Sequence, residues 1–67
     1  MNDSREPARK WRVRDRDAGK SQTYGSESRA YDAVNAIAAE GHSAMVTHWE
    51  DGRWRLFEMV KPDVTQG

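Results

Sequence analysis

Cysteine is absent, and with it go disulfide cross-links and the commonest zinc ligands. The two histidines, His42 and His48, are too few for a closed structural metal site. A net charge is absent as well: eleven basic residues balance eleven acidic ones, so no global field steers the chain toward nucleic acid or a membrane. No apolar run approaches the ~20 residues that a membrane span needs. The first residues, Met1 to Pro7, are charged and lead into no apolar segment, so they do not read as a signal peptide. Together with the missing cysteine this points to the cytoplasm.

What is present is arginine, alanine and a surplus of large aromatics. Arginine outnumbers lysine eight to three, the pattern of a GC-rich bacterial or phage genome. A chain of 67 residues holds one domain and buries only about 60% of its unfolded surface, so its core is marginal. Without disulfides or metal, self-association is the remaining way to add buried surface.

The strongest periodic signal is Ala30, Ala33, Val34, Ile37 and Ala38, spaced i, i+3, i+4, i+7, i+8, which predicts an amphipathic helix over 28–40. Ser26 or Ser28 supplies the N-cap, and Gly41 the left-handed position after the last turn. Ahead of it, residues 10–15 alternate, with Trp11 and Val13 on one side and Lys10, Arg12 and Arg14 on the other. A turn at 16–19 leads into a weaker strand at 20–24. Behind the helix, 44–49 and 53–60 flank Asp51 and Gly52, a strong hairpin signal. The fold class that follows is α+β, in ββαββ order, with a mainly antiparallel four-stranded sheet and the helix on one face. The domain spans 10–61, between a disordered lead-in at 1–9 and a disordered tail at 62–67.

The second hairpin admits two registers. A two-residue loop pairs Trp49 with Trp54; a three-residue loop with a bulge at Gly52 pairs His48 with Trp54 and Val46 with Leu56. The second is preferred here, because it gathers Ala44, Val46, Trp54 and Leu56 beneath the helix with Trp11 and Val13. Met45, Trp49, Phe57 and Met59 then lie on the far face. Flanked by Arg53 and Arg55, these form a candidate protein interface, most simply of a homodimer, because aromatics, methionine and arginine are the residues from which interface centres are built.

Lys10, Arg12, Arg14 and Arg16 form a second candidate site. With Arg9 they place five positive charges against one negative within eight residues, at a spacing able to follow phosphates. Over the first forty residues the order Trp11, Val13, Gly19, Lys20, Tyr24, Gly25, Ser26, Ala30 loosely resembles the arm-binding domain of phage-type integrases. That family sets three strands ahead of its helix, where this chain has two and then a further hairpin.

No catalytic signature is present. His42 beside Ser43 lacks the elbow and oxyanion loop of a nucleophile site. His42, His48, Glu40, Glu50 and Asp51 are too dispersed along the predicted loop and strand for a preformed metal site. The expectation is therefore a non-enzymatic interaction module without cofactor, metal or small-molecule substrate. It self-associates or binds another protein, with nucleic-acid binding through the basic strand as the other reading.

Overall fold

A computed structural model describes residues 7–62. Most of the expected lead-in and tail, residues 1–6 and 63–67, lies outside the described residues. The chain runs through β1 (Trp11–Asp15), β2 (Lys20–Tyr24), α1 (Glu27–Ala39), β3 (Ala44–Glu50) and β4 (Arg53–Val60). The fold is α+β in ββαββ order: one antiparallel four-stranded sheet, with α1 on one face. The strands lie in the order β2-β1-β3-β4, which puts β2 and β4 at the two edges.

The helix forms where its stripe predicts it and is closed at both ends by hydrogen bonds. Ser26 is the N-cap, its Oγ accepting from the Arg29 N–H at 3.2 Å. At the other end Gly41 takes φ +82°, its N–H donates to the Ala38 carbonyl, and the His42 N–H donates to the Ile37 carbonyl. This is the paired C-terminal motif that satisfies orphan carbonyls and for which glycine is favoured. Ala30, Val34 and Ala38 are buried, and Ala33 and Ile37 pack at the margin of the core. The sheet contributes Val13, Ala44 and Val46. Burial of side chains as large as Val34 and Val46 stabilises by ~1.5–3 kcal/mol each.

The second hairpin corrects the expected register. Asp51 has φ 51° and Gly52 φ 80°, so the loop has two residues, and Trp49 pairs with Trp54 and Thr47 with Leu56. Positive φ at both turn positions matches the right-handed twist of the strands, which is why this loop prevails over the three-residue one. The register then shifts between Thr47 and Val46: Val46 faces Glu58, so Leu56 and Glu58 bracket one extra residue, Phe57. This bulge returns β4 to the phase that the preferred register gives Met59, but it leaves the side chains before it on the opposite faces. Trp54 and Leu56, expected under the helix, stand on the far face with Trp49 and Thr47. Phe57, expected on the far face, turns to the helix side, its ring 4.8 Å from Trp11 and 6.4 Å from Tyr31.

The helix lies over β1 and β3, reaches β2, and meets β4 chiefly through the Tyr31 hydroxyl, which donates to the Glu58 carboxylate. A narrow stripe of alanines with one valine and one isoleucine cannot span four strands, and the far edge is left open.

Candidate interaction face and open edge

The sheet face opposite α1 is built by alternation. Register places Arg12 beside Thr47 and Leu56, Arg14 beside Met45 and Met59, and Trp49 beside Trp54. Lys10 joins the same face opposite Trp49, whose N–H donates to the Lys10 carbonyl at 2.9 Å. The two expected sites thus become one surface: the basic strand and the aromatic strands share a face. The Arg12 guanidinium stacks 4.4 Å from the centre of the Trp54 ring, and Trp54 meets Trp49 edge-on at 5.4 Å and 76°. Thr47, between Arg12 and Leu56, is 8% exposed, and its hydroxyl donates to the Arg12 carbonyl. Among the described strand residues no acid occupies this face, because Asp15, Glu50 and Glu58 all fall on helix-side positions.

Of the residues expected at a protein interface, Met45, Trp49 and Met59 do lie on this face. Arg53, Arg55 and Phe57 do not. Arg53 and Arg55 pair with Glu50 and His48 on the helix side, where the His48 ring stacks on Trp11 at 4.2 Å and Arg55 reaches Asp51 at 3.9 Å. Arg14 is exposed and donates to the Ser21 hydroxyl at 3.3 Å. Arg16 stands apart from Lys10, Arg12 and Arg14, in the turn after β1, where its N–H donates to the Ser43 carbonyl.

The large hydrophobic side chains that remain exposed are Leu56 at 61%, Phe57 at 48% and Met59 at 45%, and all three belong to β4. Trp54 and Leu56 were expected beneath the helix, because the three-residue loop sets them one residue out of register. The Asp51–Gly52 turn was the available signal for their placement.

A second cluster, on the opposite end of the sheet, was not foreseen as a unit. The Asp15 carboxylate accepts from the Asp17 and Ala18 amides and meets His42 Nδ1 at 3.0 Å. Asp17 in turn accepts from the Ser43 N–H at 2.7 Å. The contact with His42, followed by the Ala18 amide, holds the Asp15 carboxyl below its ordinary range, and Asp15 raises the His42 pKa. The arrangement ties the β1–β2 turn to the loop after α1, so it reads as a structural clamp. An open groove of about 360 Å³ beside it is lined by Val13, Asp15, Lys20, Ser21, Tyr24 and Ile37. Among the described residues no cluster of three or more potential ligands is placed to hold a metal ion, and no helix is long and apolar enough to cross a membrane.

A family model matches residues 4–56, well over half of the chain. The chain belongs to the DUF2188 family. That family is described as an uncharacterised protein conserved in bacteria, and the match ends inside β4 at Leu56, just before the bulge. No curated protein and no solved structure matches the chain.

Proposed function

We propose that this protein is a non-enzymatic interaction module that self-associates through the β4 side of its sheet. The observation that carries the reading is the confinement of Leu56, Phe57 and Met59 to one open edge strand. A domain of this length has little stability to spare, and leaving such side chains in water forgoes ~1.5–3 kcal/mol for each one that a partner would bury. A two-fold pair is the commonest way to cover such a surface. Sedimentation equilibrium from micromolar to near-millimolar concentration tests the proposal on the wild type and on Leu56→Lys. The wild type is expected to dimerise and the variant to stay a folded monomer. A wild type that is folded and monomeric throughout refutes it. Leu56 is a cleaner probe than Phe57, whose ring packs on Trp11 and Tyr31.

A second reading is favoured by the acid-free composition of the far face. Lys10, Arg12 and Arg14 beside Trp49 and Trp54 combine cations with flat aromatic rings, the composition of a single-stranded nucleic-acid platform. Quenching of tryptophan fluorescence by a single-stranded oligonucleotide at about 50 mM salt, lost by about 200 mM, is the expected signature. Absence of quenching at the lower salt removes this reading and leaves the first untouched.

A further inference from the structure

We infer that two copies join along β4 in one particular register, antiparallel about a two-fold axis between Leu56 and Phe57, so that two four-stranded sheets continue as one. This rests on the self-association proposed above and adds the mode and the residues.

The backbone sets which groups are available. The Trp49 N–H donates to the Lys10 carbonyl and the Arg16 N–H to the Ser43 carbonyl, both at 2.9 Å. Along β3, therefore, Met45, Thr47 and Trp49 turn their backbone groups toward β1, and the alternate residues turn theirs toward β4. The β4 residues that pair with Met45, Thr47 and Trp49 are Met59, Leu56 and Trp54. Their N–H and C=O groups consequently point outward from the sheet. An outward row of this kind is a template for another strand.

Side chains then choose among the ways two such rows can meet. With the axis between Leu56 and Phe57, Trp54 of one copy faces Met59 of the other twice over. Both residues carry outward backbone groups, and both lie on the far face. Arg55 falls opposite Glu58 of the second copy, again twice, and both occupy the helix side. The bulge makes this possible: its extra residue brings positions before and after Phe57 to the same face at an odd spacing. Leu56 falls opposite Phe57 of the second copy, which brings the two Leu56 side chains together diagonally on the far face and the two Phe57 side chains on the helix side, where the exposed apolar surface is greatest. Pairing Trp54 with Leu56 instead sets Arg55 against Arg55. Pairing Leu56 with Met59 leaves Arg55 opposite Val60 and forfeits both charge pairs. Charge complementarity thus selects one register from those the backbone permits.

Edge strands are ordinarily guarded by proline, by lysine or by a bulge. Within β4 there is no proline and no lysine, and its bulge meets an identical bulge at the axis.

The test is a charge-reversal cycle on the full chain, read as the dimer dissociation constant by sedimentation equilibrium, with circular dichroism reporting the fold. Arg55→Glu and Glu58→Arg are each expected to weaken the dimer about tenfold or more, and the double variant to return to within about threefold of wild type. Amide exchange of the wild type supplies a readout that needs no substitution: the Trp54 and Met59 N–H groups gain protection as concentration rises. A dimer with no rescue in the double variant, or with both amides unprotected, overturns the register while self-association stands. A wild type that remains monomeric overturns both.

Discussion

β2 and β4 both end the sheet, yet β2 offers Lys20, Ser21, Gln22, Thr23 and Tyr24 to its edge, whereas β4 sets Trp54, Leu56, Phe57, Met59 and Val60 among Arg53, Arg55 and Glu58. The β2 edge is short, polar and opened by a lysine, features that discourage another strand from pairing with it. It is also held from within, because Asp15 and Asp17 tie the β1–β2 turn to His42 and Ser43. The β4 edge is longer by three residues and carries the large exposed hydrophobic side chains, and it touches the helix chiefly through one tyrosine. The helix allots its cover unequally: it buries Val13 of β1 and Ala44 and Val46 of β3, leaves β2 guarded by its polar composition, and leaves Leu56, Phe57 and Met59 of β4 exposed.

The largest expected effect removes both edges together. Val46 is fully buried at the centre of the sheet, and Val46→Asp places an unpaired charge there. The cost is about 4 kcal/mol or more, comparable with the whole stability of a domain this size, and loss of the thermal unfolding transition measures it. Next comes the contrast of matched substitutions on the two edges. Leu56→Lys is expected to weaken self-association about 100-fold or more, since each copy loses the burial of a leucine. Ser21→Lys on β2 leaves the dissociation constant within about twofold, and both variants keep the monomer fold within about 0.5 kcal/mol by urea denaturation.

A smaller effect separates the backbone at the two ends. Gly52→Ala puts a Cβ at φ +80°, for a cost of about 1–2 kcal/mol. That corresponds to a fall in Tm of ~4–8 °C per kcal/mol. Gly25, at the end of β2, needs no positive φ and has nothing within 4 Å of an added Cβ, so Gly25→Ala is expected to leave Tm nearly unchanged.

The smallest effect is the pH dependence of the clamp on the β1–β2 side. The His42 pKa is raised in the folded state, so its contribution is complete below the ordinary histidine value of about 6.5 and is lost as pH rises through the folded value. The Asp15 pKa is lowered, so its contribution is complete above the ordinary carboxylate value of about 3.9 and is lost as pH falls through the folded value. The clamp is therefore strongest between about pH 4 and 6.5. A thermal melt of the wild type is expected to lose a little stability from pH 6 to 8.5, and Asp15→Asn to lose less over the same range. An identical slope in the two proteins would show that His42 gains nothing from Asp15.

Local chemistry decided much of this protein from sequence alone. The 3.6-residue stripe from Ala30 to Ala38, the Ser26 cap and Gly41 define the helix because each acts within a few residues of its partner. Alternation around Trp11 and Val13 defines β1, and Asp51 with Gly52 defines a hairpin, so the α+β class and the ββαββ order follow. The composition of the far face was only partly legible. Met45 and Trp49 were placed on the far face because β3 alternates regularly, and Met59 because the bulge at Phe57 offsets the one-residue difference in the turn. Arg53, Arg55 and Phe57 were misplaced, because one residue too many in the expected turn inverts the face of every β4 residue up to the bulge. Only the tertiary structure decided the strand order, the approach of His42 to Asp15 across 27 residues, and the gathering of Arg12 and Arg14 with the tryptophans of the second hairpin. Each of these joins segments distant in the chain, and their pairing depends on how well whole surfaces fit, which no short window of sequence encodes.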